Sequence, residues 1–243
     1  EEKIYPYAVA RIRVLEKNLL SKQTLNQMAE EKEIDSCLRT LAEYGYENVP
    51  KGNAREFEKV LSAELSKTYA VIRELVPEEK FINIFLYKND YQNLKVLLKE
   101  EVSGIDGRQY IVQGGTEPVE KLKQSILDRN YTDLPKVMGE AIEEALELYS
   151  KTQSGQMIDI ALDRGTFRQM TQAAKESEND FVKGYTARVC DLTNLKSFIR
   201  MRHMNKDFGA FMNVFVEGGE ISSSVFFNAY GTDNPLDQFK GTK

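Results

Sequence analysis

The sequence predicts an all-α protein built from tandem helical units. Apolar residues recur at steps of three and four along most of the chain, as they do on one face of a helix. Alternation typical of a strand appears only weakly, around residues 110–112. A phrase that reads D-x-x-N-L-K occurs twice, in NDYQNLKVLLK from Asn89 and, 101 residues later, in CDLTNLKSFIR from Cys190. Together these observations favour a repeated helical architecture.

The helix boundaries follow from proline, glycine and polar residues. Pro6 suits the first turn of an amphipathic pattern, and Gly45 stops a short helix whose N-cap we place at Asp35 or Ser36. Residues 103–121 are rich in glycine and polar side chains, which predicts a linker. Helices are predicted at residues 6–28, 33–45, 53–76, 78–102, 134–152, 157–177, 181–204, 207–215 and 222–230.

The internal similarity extends beyond the repeated phrase. At a second offset of 187 residues, the stretch IDSCLRTLA from Ile34 lies over ISSSVFFNA from Ile221, which predicts a unit of about 100 residues. A complete third unit would run past Lys243, so we expect a C-terminal portion to be absent. The predicted divisions are a first helical repeat at 1–103, a linker at 104–118, a second repeat at 119–204 and the start of an incomplete third repeat at 205–243.

Composition and charge exclude several classes of protein. The net charge of −5 and the pI near 5.3 argue against a general nucleic-acid binder, which needs a clustered positive surface. Apolar runs stay shorter than the roughly 18 residues that span a bilayer. The two cysteines, Cys37 and Cys190, are too few for a disulfide framework and indicate a reducing, cytosolic setting.

The polar residues of the repeated phrase share a helix face with apolar neighbours. Asp90 and Asn93 are spaced like Asp191 and Asn194, so all four are predicted to point inward as a structural polar network. A buried polar group without a partner costs about 1–3 kcal/mol, so hydrogen-bond partners are required. The candidate partners are Arg11, Arg13, Lys95 and Arg188.

Two other interpretations of the phrase remain open. Asp90 as a helix N-cap requires a break at Lys88 or Asn89, where the sequence has neither glycine nor proline. A catalytic pair lacks support elsewhere, because the chain has one histidine, His203, and no C-x-x-C. The glycine segments QGGTEP and EGGEIS also lack phosphate-loop spacing. We therefore predict no catalytic, cofactor-binding or metal-binding residue.

Several segments resemble one known family. YAVARIRVLEKNLL near the N-terminus, the two D-x-x-N helices, the EGGEI turn and the threefold helical pattern look like the C subunit of archaeal and bacterial A/V-type rotary ATPases, called subunit d in the eukaryotic V-type enzyme. The resemblance covers most of the chain. Its motifs are patterns of helix interiors, which are less specific than a metal or nucleotide signature.

The resemblance implies a non-catalytic coupling component. Such a protein links the central stalk to the membrane rotor ring on the cytoplasmic side, through protein contacts, in ATP-driven or ATP-forming proton or sodium transport. No cofactor, nucleic acid or small-molecule substrate is implied. Basic residues are candidates for contacting an acidic partner, although internal pairing or solvation is the more common role of each. They are Arg11, Arg13, Arg200 and Arg202. The alternatives are an all-α repeat adaptor unrelated to rotary ATPases and an enzyme of unknown type.

Overall fold

The computed structural model describes residues 5–47, 57–76, 80–232 and 234–241. Within these ranges the chain is helical and contains no strand, which confirms the all-α class. No helix in the same ranges is long and apolar enough to cross a membrane. The chain divides into two compact units, residues 1–82 and residues 83–243.

Four helices and the start of a fifth belong to the first unit. The first predicted helix is wrong in its length, because the chain leaves the helix after residue 18 and Ser21 caps a new one by accepting a bond from the Thr24 N–H at 3.0 Å. Gly45 ends α3 with a positive φ of 88°, as predicted. The N-cap of α3 is Glu33 rather than Asp35 or Ser36. The helices are α1 Pro6–Leu15, α2 Lys22–Glu30, α3 Ile34–Glu43, α4 Phe57–Leu75 and α5 Lys80–Ser103.

The second unit contains most of α5 and six further helices. One of them lies in a segment for which the sequence predicted no helix, and it begins directly after Pro118. The weak strand signal near residue 110 corresponds to a short 3₁₀ turn, Arg108–Tyr110. The helices are α6 Val119–Asp128, α7 Lys136–Thr152, α8 Gly155–Glu176, α9 Asp180–His203, α10 Phe208–Val214 and α11 Ser223–Tyr230.

A large core forms where α5, α6, α7 and α8 meet. Close approach at its centre depends on Gly165, where a Cβ would lie 2.6 Å from the Cβ of Ala141 and 2.7 Å from Tyr91 Cε1. Each fully buried large apolar side chain contributes about 1.5–3 kcal/mol. The core includes Tyr91, Leu94, Leu98, Leu122, Ile126, Met138, Ala141, Ile142, Ala145, Ile158, Ala161 and Leu162.

A second, aromatic core joins α9, α10 and α11. Phe198 lies at its centre, with its ring centroid 5.1–6.0 Å from the rings of four neighbours in offset or edge-on geometry. Those neighbours are Phe211, Phe226, Tyr230 and Phe239. The two cores fix α5 and α9, the helices that carry the repeated phrase.

Candidate functional site: two helix-to-loop clamps

Two pairs of polar side chains are buried on α5 and α9. Asp90 and Asn194 are fully buried, Asn93 is 1% exposed and Asp191 is 8% exposed. Within each pair the residues are three apart, so both side chains lie on one helix face. Buried groups of this kind are expected to be hydrogen-bonded, and the partners show what each pair does.

The first pair holds the loop formed by residues 112–117, an arrangement we call the first clamp. The Asn93 Nδ2 donates to the Val112 carbonyl at 2.9 Å, and the Val112 N–H donates to Asn93 Oδ1 at 2.8 Å. Asp90 accepts the N–H groups of Thr116 at 2.9 Å and Glu117 at 3.0 Å, and the Thr116 hydroxyl at 2.7 Å. Main-chain groups are therefore the principal partners of both side chains.

The second pair holds residues 216–221 in the same manner, forming the second clamp. The Asn194 Nδ2 donates to the Val216 carbonyl at 2.8 Å, and the Val216 N–H donates back to Oδ1 at 2.9 Å. Asp191 accepts the N–H groups of Glu220 and Ile221, each at 3.0 Å. In both clamps the amide grips the start of the loop and the carboxylate grips its end.

The second glycine of a Gly-Gly pair makes room for each carboxylate. A Cβ at Gly115 would lie 2.1 Å from Asp90 Oδ1, and a Cβ at Gly219 would lie 2.0 Å from Asp191 Oδ1, so neither position has space for a side chain. The preceding Gly114 and Gly218 have φ values of 82° and 108°, in the region that favours glycine. The segments QGGTEP and EGGEIS are thus carboxylate-binding turns.

Each clamped loop leads directly into a helix. Glu117 lies two residues before Val119, where α6 begins, and Ile221 lies two residues before Ser223, where α11 begins. Free N–H groups give a helix N-terminus a partial positive charge that favours a nearby carboxylate. Each Asp therefore fixes both the loop and the starting point of the next helix.

Burial and hydrogen bonding act on Asp90 in opposite directions. Burial disfavours the charged carboxylate and raises the pKa of Asp90 above its ordinary value, while the N–H bonds from Glu117 and Thr116 limit that rise. Each Asp90 oxygen already accepts hydrogen bonds from the loop. This arrangement suits an anchor better than a general base that must reach a substrate.

The residue before each Asp differs between the clamps. Asn89 adds weak bonds from Nδ2 to the carbonyls of Gln113 at 3.3 Å and Gly114 at 3.2 Å. The corresponding Cys190 is fully buried, and burial raises the pKa of its thiol to about 11. Asn89 and Cys190 are therefore one chemical difference between the two clamps.

The basic residues considered as clamp partners bond elsewhere. Arg11 donates to the Tyr7 hydroxyl at 3.1 Å and to Glu74 at 3.4 Å. The remaining pairings are Arg13 with Glu16, Lys95 with Asp163 and Arg188 with the Gly184 carbonyl. The prediction of basic partners for the Asp and Asn side chains is therefore wrong.

The other proposed interface residues and the lone histidine lie on or near the surface. Arg200 is exposed, and His203 is exposed at the end of α9. Arg202 is half-buried. It donates to the Ala229 carbonyl at 2.8 Å, and its guanidinium lies 5.9 Å from the Phe198 ring centroid. In the part of the chain that the structure describes, no His, Cys, Asp and Glu cluster of three or more is arranged to hold a metal ion.

Two ion pairs between α5 and α8 were not anticipated. Lys95 pairs with Asp163, and Lys99 pairs with Asp159 at 2.7 Å. The sequence contained a usable signal, since the two lysines and the two aspartates are each four residues apart, with opposite charge. These ion pairs link α5 to α8 beside the first core.

Comparison with known proteins identifies the family. The family model described as "ATP synthase (C/AC39) subunit" matches residues 8–241. The chain belongs to this family. The resemblance inferred from the sequence is therefore confirmed, and the two clamps are features of a C/AC39 chain.

Curated relatives of this C/AC39 chain are longer than the chain itself. It is 28% identical over 218 residues to the C subunit of the V-type sodium ATPase of Enterococcus hirae, covering 89% of this chain and 66% of that protein. It is 26% identical over 248 residues to the C subunit of the V-type ATP synthase of Thermus thermophilus, covering 98% and 75%. The C subunit of the A-type ATP synthase of Pyrococcus furiosus is 20% identical over 243 residues, covering 96% and 65%.

Proposed function

We propose that this C/AC39 chain is a non-catalytic coupling part of the central rotor of an A/V-type ATPase. In this role it links the central stalk to the membrane rotor ring during ATP-driven or ATP-forming transport of protons or sodium ions. The observation that carries the proposal is the family match over residues 8–241. The partners and the position at the cytoplasmic face of the membrane, through protein contacts, are part of the proposal.

The clamps support a mechanical role. A protein that transmits torque must resist bending where one helix passes into the next, and loops are the most compliant parts of a helical protein. In this chain the loops before α6 and α11 are tied to α5 and α9 by main-chain bonds of 2.8–3.0 Å. Torque applied to one helix is thereby passed on with little loop movement.

We further propose that the chain consists of tandem repeats, with a first repeat at 1–103, a linker at 104–118, a second repeat at 119–204 and a third that begins at 205. The matching hydrogen bonds of the two clamps support an internal repeat. The glycine pairs and the helix starts after each loop support it too, because unrelated loops have no reason to share all three features.

Among the proposed interface residues, Arg200 is the strongest candidate for contact with an acidic partner. It is exposed, and no hydrogen bond or ion pair engages its side chain within the described ranges. Arg11, Arg13 and Arg202 each have a partner in their own chain, which makes them less available.

Retention by purified rotor parts tests the proposal. The full chain is incubated at low salt with the central-stalk proteins and the detergent-solubilised rotor ring of an A/V-type ATPase, and co-elution is measured. We expect retention by both, and at least threefold weaker retention for Arg200→Glu. The matched control is Lys136→Glu, at a lysine whose side chain is 90% exposed. If neither assembly retains the chain, the coupling role is wrong and the all-α adaptor becomes the better explanation.

A further inference from the structure

The lysines and arginines of the second unit differ in whether they form ion pairs. Every lysine and arginine between residues 95 and 168 is paired with a carboxylate. Between residues 188 and 206 the pattern changes, because no ion pair engages any lysine or arginine there within the described part of the chain. These basic residues are Arg188, Lys196, Arg200, Arg202 and Lys206.

This segment is positively charged in a chain that is negative as a whole. It carries five lysines and arginines against one acidic residue, Asp191, which gives a local charge of +4 in a chain of net charge −5. Asp191 is buried and bound by main-chain N–H groups, so it does not neutralise the surface. Separation of charge on this scale is typical of a surface that binds an anionic partner.

One exposed face of α9 combines basic and apolar side chains. Three of its apolar residues are strongly exposed, Phe181 at 74%, Leu192 at 55% and Ile199 at 54%. Residues on this face recur at steps of three, four or seven, as they do along one side of a helix. We call this face the α9 stripe, and it consists of Phe181, Arg188, Leu192, Lys196, Ile199 and His203.

The stripe matches a surface that offers negative charge and hydrocarbon together. Arg188 and Lys196 attract anionic groups, while Leu192 and Ile199 gain from leaving water. A nucleic acid offers phosphates, but its bases are bound mainly by stacking on aromatic side chains, and both central apolar residues of the stripe are aliphatic. A phospholipid surface offers headgroup phosphates directly above acyl chains, and interfacial helices meet it with the same mixture of residues.

The size of the stripe favours a lipid surface over a folded protein partner. From Phe181 to His203 the stripe is about 33 Å long and about 10 Å wide, so it covers roughly 330 Å². A stable protein interface needs about 800 Å² on each partner. Membrane binding has no such minimum area, because each basic residue near an anionic surface and each inserted apolar side chain adds to it separately.

We propose that the α9 stripe binds the surface of an anionic phospholipid membrane. Arg188 and Lys196 contact headgroup phosphates, and their long side chains let Leu192 and Ile199 reach between the headgroups. Arg200 lies beside the stripe and stays available for a protein partner. The inference goes beyond the coupling role and does not depend on the stalk or ring contacts.

Partition into vesicles tests the charged part of the stripe. The full chain is sedimented with vesicles of phosphatidylcholine alone and with vesicles containing seven parts phosphatidylcholine to three parts phosphatidylglycerol. We expect at least fivefold more bound chain on the anionic vesicles, a loss of this excess at high salt, and at least tenfold weaker partition for the double variant Arg188→Glu, Lys196→Glu. The matched control is Lys136→Glu, Lys151→Glu on α7, which makes the same change in net charge at exposed lysines.

Tryptophan fluorescence tests the apolar part. The chain has no tryptophan, so Leu192→Trp places a single reporter on the stripe. We expect its emission to shift to the blue on anionic vesicles, because the indole leaves water. The matched control is Leu127→Trp on α6, where the side chain is 59% exposed and the emission stays unchanged.

Each other outcome overturns the proposal. Equal partition into neutral and anionic vesicles excludes an anionic lipid surface, and an equal loss in the α7 control assigns the binding to net charge rather than to the stripe. An unshifted Leu192→Trp emission excludes insertion and favours an acidic protein as the occupant. Circular dichroism checks the folding of each variant, which we expect to persist because the substituted side chains are exposed. Retention by rotor parts is measured separately, so its failure leaves this result unaffected.

Discussion

Asp90 and Asp191 are buried carboxylates whose charge is met by main-chain N–H groups. Hydrogen bonds to an ionised group are stronger than those between neutral groups, and main-chain donors are not removed by a change of side chain. In the loops, the residue type that matters is therefore glycine, because the missing Cβ atom leaves room for the carboxylate. At the scale of single residues, Gly115 and Gly219 therefore have no room even for a methyl group.

We predict that Gly115→Ala and Gly219→Ala each destabilise the fold. The new methyl group would lie about 2 Å from an Asp oxygen. The carboxylate must then move and lose N–H bonds, or the loop must shift. Overpacking of this kind costs about 1–3 kcal/mol in the free energy of unfolding. Urea denaturation of each variant measures the loss.

Gly155→Ala is the matched control for these substitutions. A Cβ there would meet only Lys99 Cε, at 3.8 Å, which is an ordinary contact. Its free energy of unfolding should equal or exceed that of the wild type, because alanine favours a helix more than glycine does. A similar loss in all three variants would mean that the close approach to the carboxylates is not the cause.

Cys190 provides a prediction about pH. Burial raises the pKa of its thiol from 9.0 to about 11, so the folded state keeps the proton longer than the unfolded state does. The resulting stability is fully present below pH 9 and is lost as pH rises towards 11. We expect the wild type to lose stability relative to Cys190→Ala in that window, measured by denaturation at each pH. A constant difference between the two proteins would contradict the buried thiol.

At the scale of elements, the two clamps differ in one hydrogen bond that can be transferred. The Thr116 hydroxyl donates to Asp90 at 2.7 Å, whereas the corresponding residue in the second clamp is Glu220, which binds Asp191 only through its N–H. We predict that Glu220→Thr adds the missing bond and raises the free energy of unfolding by about 0.5–1.5 kcal/mol relative to Glu220→Val. The valine variant controls for shape, and equal stability of the two variants would argue against equivalent loops.

The element order was largely predictable, but the break before α2 and the whole of α6 were not. The apolar stripe of Ile12, Leu15 and Leu19 continues through the break before α2, so periodicity alone joined two helices. Ser21 was the opposing signal, because serine is a common N-cap residue and marks the start of α2. The α6 helix was missed because the glycine-rich segment extended the predicted linker past Pro118, although proline is a common start signal.

The helix face predicted that four polar side chains point inward, but it did not predict their hydrogen-bond partners. The four are Asp90, Asn93, Asp191 and Asn194. Sequence reasoning looks for a complementary side chain, and basic residues were the obvious choice for a carboxylate. The actual partners are main-chain atoms 19 to 30 residues away. Main-chain groups are present at nearly every residue, so the sequence does not show which of them will bind. The glycine pairs were visible in the sequence, but the closeness of Gly115 and Gly219 to the carboxylates depends on tertiary structure.

At the scale of the whole molecule, the two units differ in how well they are buried. Met138, Ala141 and Ile142 on α7 are fully buried, whereas α1 has one buried residue, Ala8, and α2 has none. Regions with few buried apolar contacts open at lower free energy. We predict that amides of α1 and α2 exchange with solvent at least roughly tenfold faster than those of α7 and α8, as measured by hydrogen–deuterium exchange. Equal protection would contradict the uneven burial.

In both clamps the loop is anchored through its backbone, so its exposed side chains take little part in holding it. Gln113 and Glu217 follow the gripped valines, and both side chains face solvent. Since the amides and carboxylates hold mainly the backbone, these two positions can change in charge or size without disturbing their own anchorage. The backbone of each loop is thus held in place while its exposed side chains are free to vary. A homologous chain can therefore bind a different partner through this loop while its helices stay the same.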